Sequence, residues 1–149
     1  MISSILVPSD GSKTSQKAAA YAVDLAGQLG AKVFAVSVID KRLFMGQTIP
    51  ASKMPKHITE PVEDYLQSVA GEYLGEVKKL CDKNGVEVKL SIRIGYPVEE
   101  ILKEARKTKA DLIVMGSRGR SALSATVLGS VSYGIIHNDK SIPVLIVRG

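Results

Sequence analysis

Apolar residues recur along this chain in two alternating rhythms. Nearly every position is apolar in the short runs 2–8, 33–39, 112–115 and 144–147. Runs of that length, bounded by turn residues, read as strands buried on both faces. Between them lie stretches with apolar side chains three or four apart. These carry Ala18, Tyr21, Ala22, Leu25 and Leu29, then Val62, Leu66, Val69, Tyr73, Val77 and Leu80. Later stretches carry Val98, Ile101, Leu102 and Ala105, then Val131, Ile135 and Ile136. Such spacing puts one apolar stripe on a helix. One more strand differs. Val86, Val88, Leu90, Ile92 and Ile94 alternate with Glu87, Lys89, Ser91 and Arg93, which predicts one wet face and a place near a sheet edge.

Turn residues mark the boundaries. Pro8-Ser9-Asp10-Gly11-Ser12 stops the first strand, and Gly30 is placed to cap the first helix in a left-handed conformation. Thr59 reads as a helix N-cap with Pro61 in the first turn. Asn84-Gly85 and Gly95-Tyr96-Pro97 turn the chain again. Residues 41–58 have no period and contain Gly46, Pro50 and Pro55. They read as a long connection, a plain surface loop ahead of a lid. Strand and helix therefore alternate to the end. Parallel neighbours need crossovers, and right-handed crossovers cover both faces of a sheet. The prediction is an α/β fold: one domain over 1–149, a doubly wound five-stranded parallel sheet with helices on both faces. The strands apolar on both faces belong in the centre and the alternating one outside, which gives the order 3-2-1-4-5.

Composition adds limits. With 149 residues, 5% aromatics and no Trp, the chain suits one domain with an aliphatic core. The net charge of +5 comes from Lys and Arg scattered over predicted helix faces, among them Lys78, Lys79, Lys103 and Arg106. A nucleic-acid surface needs a clustered basic face with interleaved aromatics, so no nucleic-acid partner is expected. No apolar stretch reaches the ~18 residues of a membrane span, and the N-terminus lacks the pattern of a signal peptide. The one cysteine, Cys81, has no internal disulfide partner and falls on a helix stripe. A buried thiol in a reducing compartment, the cytoplasm, is expected.

In a doubly wound sheet the strand order reverses at one point, and the loops leaving the carboxyl ends there open a crevice. In the predicted order those loops follow the first and fourth strands, at 8–12 and 115–119. They are the most polar and glycine-rich turns of the chain. The second continues through Arg118, Gly119, Arg120 and Ser121 to Gly129-Ser130, where the next helix starts. Gly116 and Gly119 allow close backbone approach. First-turn amides of a helix have no intrahelical partner and face the positive end of its dipole, which suits a phosphate. Ser130 and Ser132 add hydroxyls. Asp10, at the end of the first strand, suits a ribose hydroxyl or a metal ion, with a helix N-cap as the plain structural alternative.

These residues match a known pattern. The spacing Gly-x2-Gly-x9-Gly-Ser, carried by Gly116, Gly119, Gly129 and Ser130, resembles the ATP-binding signature of the universal stress protein family. The resemblance runs through the whole chain, from Ile5-Leu6-Val7-Pro8-Ser9-Asp10 to Pro143-Val144-Leu145-Ile146-Val147. Ser9 stands where that family more often has Val, Thr or Tyr. The resemblance implies that Val38 backbone, with packing from Pro8 and Met115, holds adenine. It implies that Asp10 contacts ribose, or a Mg2+ or Mn2+ ion together with the phosphates. Gly116, Gly119, Gly129, Ser130, Val131 and Ser132 then surround the phosphates of ATP, ADP or AMP. It also implies a homodimer through the last strand. The residues give their own reason for that pairing, since 144–147 is apolar on both faces yet predicted at an open edge.

Motifs for catalysis are missing from the sequence. There is no Gly-x4-Gly-Lys-Ser/Thr phosphate loop and no Gly-x-Ser-x-Gly elbow. His57 and His137 are not spaced with other ligands and read as surface or helix-end residues. No catalytic residue is assigned. A nucleotide-responsive stress or signalling module with an unidentified protein partner is the leading reading. A slow metal-dependent ATPase or phosphotransferase and a non-binding scaffold are the alternatives. A phospho-acceptor receiver of similar topology is set aside, because strands three and four end in Gly95 and Gly116 and not in an acidic cluster.

Overall fold

The computed structural model describes residues 1–42, 56–118 and 128–149, with residues 56–60 described in their backbone only. Strands β1 (Ser4–Pro8), β2 (Lys32–Asp40), β3 (Val88–Gly95), β4 (Leu112–Gly116) and β5 (Val144–Val147) alternate with helices. The helices are α1 (Lys13–Leu29), α2 (Lys56–Lys83), α3 (Pro97–Lys107) and α4 (Ser130–Asn138). The five strands are parallel and lie in the order β3-β2-β1-β4-β5, as the apolar pattern requires.

Alternation along each central strand sorts the core into two layers. Ile5, Val7, Val33, Ala35 and Val114 face α1 and α2. Leu6, Val36, Ile113 and Met115 face α3 and α4. Helix α1 presents Ala18, Ala19, Ala22 and Ala26 to the first layer; these small residues let it lie close to the sheet. Its buried face is narrower than the spacing suggests, so Tyr21 and Leu29 remain exposed. Gly30 ends the helix with φ +67 and returns its amide to Ala26. Cys81 is fully buried, and burial, with Asp82 nearby, pushes its thiol up to about 11. His137 stands exposed in the last turn of α4, its ring stacked on Tyr133 at 5.5 Å. Among the described residues, no helix is long and apolar enough to cross a membrane.

Three expectations change. Helix α2 starts at Lys56, so Thr59 is not its N-cap and Pro61 lies inside it; a proline this near the start removes only one early ladder bond. Of the connection read over 41–58, residues 43–55 fall outside the described residues, and 56–58 belong to α2. The third change is in β3. It is an edge strand as expected, but its polar face is covered at Arg93 while Lys89 stays exposed, and its apolar face is partly wet. Arg93 is covered by α3, with Nε 3.5 Å from Glu104 Oε1 and 3.8 Å from Glu100 Oε1. Glu104 is buried. Leu90, Ile92 and Ile94 face the α2 side, where the sheet ends, and stay about two-fifths exposed (42%, 39% and 43%).

The amino ends of β1 and β4 are joined by Asp111. Its Oδ2 accepts from the Ser3 amide (2.9 Å), the Ser3 hydroxyl (3.1 Å) and the Ser4 amide (3.0 Å). The Ser3 amide, then its hydroxyl and the Ser4 amide, hold the carboxyl below its ordinary 3.8. A carboxyl lowered by folding stabilises in its ionised form, and that contribution is lost as pH falls through the lowered folded-state value. Asp111→Asn is therefore expected to lower the urea midpoint near neutral pH. Its difference from wild type should close as the pH is taken from about 6 to about 2.

Candidate functional site

The strand order reverses between β1 and β4, and their exit loops diverge there. The β1 exit is folded on itself. Ser9 donates its amide to Val36 O (2.8 Å), continuing the ladder, and is buried. Asp10 Oδ1 then accepts the Ser12 amide (2.9 Å), closing a turn over Gly11. Ser12, and not Asp10, is the N-cap of α1. Its hydroxyl accepts from the Ser15 amide at 3.2 Å, so the amino end of α1 is satisfied from within.

The β4 exit is tied down by four contacts. The Thr14 hydroxyl donates to the Arg118 carbonyl. Ser117 donates its amide to Val147 O (2.9 Å), and Gly129 donates its amide to Ser117 O (2.6 Å). The Ser132 hydroxyl donates to Gly116 O (2.8 Å) inside the protein. Ser132 thus spends its hydroxyl proton on the loop, and what it keeps for a ligand is its amide. Gly116 also has a packing role: a Cβ there would lie 2.8 Å from the Thr14 carbonyl carbon and 2.8 Å from its Oγ1. Its bareness lets α1 approach β4.

The amino end of α4 is the opposite of that of α1. Its N-cap is Gly129, with φ −62 and ψ 156 and no side-chain cap. The amides of Ser130, Val131 and Ser132 lie in the first turn, where the helix provides no acceptor. An anion would displace a cap worth about 1 kcal/mol at α1. At α4 it meets no side-chain cap, and hydrogen bonds to a charged group are worth about 1.5–3 kcal/mol each. Between these two helix ends the electrostatics favour α4.

A cavity of about 970 Å³ opens at this place, near the upper end of the roughly 300–1,000 Å³ of ligand pockets. It gathers the residues expected at each part of a nucleotide. Pro8, Val38 and Met115 line it on the α3–α4 side, together with Asp10. Gly116, Gly129, Ser130, Val131 and Ser132 line it too. Gly119 lies outside the described residues, as does Arg120; Arg118 is half-buried in the wall.

Sequence reasoning missed several wall residues. Pro97 and Ile101 come from α3, and Leu66, Val69 and Tyr73 come from α2. Helical spacing marked Ile101, Leu66, Val69 and Tyr73 as core and Pro97 read as part of a turn, and only the docking of α2 and α3 beside the carboxyl edge turns them to the cavity. Arg42, also in the wall, is paired with Asp40 at 2.6 Å. Burial pushes the Asp40 carboxyl up, but hydrogen bonds and charge from Arg42 outweigh it and hold it below its ordinary value. Among the described residues no group of three His, Cys, Asp or Glu side chains is placed to hold a metal ion. A Mg2+ or Mn2+ ion here fits only with nucleotide phosphates supplying ligands beside Asp10.

The comparisons agree with this fold. A model of the universal stress protein family matches residues 1–148. The universal stress protein MJ0531 of Methanocaldococcus jannaschii is 38% identical over 144 residues, 97% of this chain and 81% of that protein. The solved structure of MJ0577 from the same organism is 30% identical, with a TM-score of 0.84 over 99% of this chain and 96% of that one. A universal stress protein solved in complex with cAMP shares the fold at 24% identity and a TM-score of 0.69, over 99% of this chain and 97% of that one.

The close approach at Gly116 is testable. Gly116→Ala is expected to destabilise the fold by about 1–3 kcal/mol, the cost of forcing a methyl into packed backbone. Urea denaturation checks it, and an unchanged midpoint contradicts the contact.

Proposed function

Because the chain belongs to the universal stress protein family, we propose that it binds an adenine nucleotide, ATP foremost, at the carboxyl edge of the sheet. In this reading it acts as a nucleotide-dependent stress or signalling module, with ADP and AMP as competing ligands. The observation that carries the reading is the uncapped amino end of α4 in the wall of the cavity. Adenine packs between Pro8, Val38 and Met115, and ribose meets Asp10. The phosphates lie against Gly116, Gly119 and Gly129 and the amides of Ser130, Val131 and Ser132. Another protein of this fold was solved with an adenine nucleotide, cAMP, which fits that use of the crevice. The single buried thiol suits the cytoplasm, where it stays reduced.

No residue is assigned to catalysis. Slow metal-dependent hydrolysis rests on Asp10 alone, and phosphate release lost in Asp10→Asn would favour it.

The second part of the proposal is a homodimer through β5. Val144 and Ile146 pack against one core layer, Leu145 and Val147 against the other, and all four stay half-buried at an open edge. Pairing with a two-fold mate covers that edge in a closed contact. The Val147 carbonyl already holds the Ser117 amide, so the edge strand and the phosphate loop share a hydrogen bond.

Titration of the folded protein with magnesium-ATP is expected to shift the amide resonances of Gly129 to Ser132, and Gly129→Val is expected to lose binding at least about tenfold while keeping its circular dichroism. Unmoved resonances at saturation, or unchanged affinity in the variant, reject the placement. Sedimentation equilibrium is expected to give a two-chain species; a monomer at all concentrations rejects the β5 interface.

A further inference from the structure

We propose that Tyr73 is a positioning residue for the ribose: its ring braces the turn that presents Asp10 to the cavity. The proposal rests on the nucleotide reading above and adds a residue from α2 to it.

The contact is direct. A Cβ built on Gly11 would fall within 2.5 Å of Tyr73 Cδ1 and Cζ, so the ring occupies the volume that any other side chain at position 11 would take. Gly11 itself has φ +76, a left-handed conformation that glycine adopts at least cost. The turn therefore needs glycine for its backbone, and the bare Cα becomes the seat for an aromatic ring. Asp10 is oriented across this same turn, its Oδ1 receiving the Ser12 amide from the far side of Gly11. A ring pressed on Gly11 restricts the peptide groups on both sides, and with them the direction of the Asp10 carboxylate.

The brace has a firm base. Leu74, the next residue of α2, with Val77 and Cys81 one and two turns further on, is buried in the layer shared with α1 and the sheet. Ala70 and Leu66, one and two turns earlier, pack on Ile39 at the end of β2. Tyr73 stands between these two anchors and is half-buried, with part of its surface in the cavity wall beside Asp10. An ordinary stripe residue of α2 would point at the sheet. This one points at a polar turn and the cavity, which packing alone does not require.

Because the ring acts through Asp10, removing it should cost ribose recognition and spare the rest of the nucleotide. The test compares ATP with 2′,3′-dideoxy-ATP, which lacks the ribose hydroxyls, by calorimetry on wild type, Tyr73→Phe, Tyr73→Ala and Tyr73→Leu. Wild type is expected to prefer ATP about tenfold, the size of a hydrogen bond to a charged group. Tyr73→Ala and Tyr73→Leu are expected to reduce the preference to about onefold to twofold, with dideoxy-ATP affinity nearly unchanged. Tyr73→Phe keeps the ring and is expected to keep the preference. If Tyr73→Ala does not fold, Tyr73→Leu, which fills most of the volume without a planar ring, decides the matter. The proposal is overturned if the ring-less variants retain the wild-type ratio, even with both affinities lowered. It is overturned too if Tyr73→Phe loses the ratio, since the hydroxyl and not the ring would then carry the effect. A wild type that binds both compounds equally also overturns it, with nucleotide binding intact. A wild type that binds neither rejects the nucleotide reading itself.

Discussion

Helix α1 touches β4 where Gly116 has no side chain, and the remaining geometry at the crevice follows from that approach. Thr14 sits against the bare Cα, and its hydroxyl holds the Arg118 carbonyl. With the start of the loop fixed to α1, Ser117 can lie beside Val147 and accept the Gly129 amide. The Ser132 hydroxyl then closes back on Gly116. Glycine at 116 is therefore a packing requirement as much as a signature letter. Both ends of the loop are secured to the sheet edge before any ligand is considered.

Helices α1 and α4 follow the two strands between which the order reverses, and their amino ends differ. Helix α1 supplies its own cap through Ser12. Helix α4 begins at a glycine without a side-chain cap. An exposed helix end favours an anion by about 0.3–1 kcal/mol through its dipole, up to ~2 kcal/mol when partly buried. Direct hydrogen bonds from first-turn amides add to that. Between these two the side-chain cap decides which amino end is open to an anion, and the loop tethers hold the α4 end in the cavity wall. Apolar walls from both core layers then lie beside these polar groups, the usual composition of a small-molecule site.

Much of this was legible before the fold was seen. Runs apolar on both faces marked the central strands, and helical stripes between them required crossovers; topology followed, and with it the location of the crevice. The candidate residues near it were legible because glycine, serine and aspartate cluster there and nowhere else in the chain. Other features were not. Arg93 alternates with apolar residues, so pattern alone assigned it to water. In the fold Glu104 of α3 covers it, because an ion pair can bury a face that hydropathy marks as polar. Pro61 signalled a helix start, yet α2 begins at Lys56, since one missing amide near a helix end is a small penalty in a long helix. Tyr73 fell on a regular stripe, and periodicity does not say that one member of a stripe overhangs a turn.

The amino-acid sequence by itself determined the element types, the parallel topology, and the position of a glycine- and serine-rich loop at the strand reversal. These depend on local periodicity, turn chemistry and the handedness of crossovers, all of which act over short stretches of chain. Tertiary structure alone decided that Gly116 serves α1, that Ser132 spends its hydroxyl on the loop, and that Tyr73 rests on Gly11. Each of those is a contact between residues far apart in the chain. Its existence depends on how closely two packed elements approach, and spacing along one element carries no record of that distance.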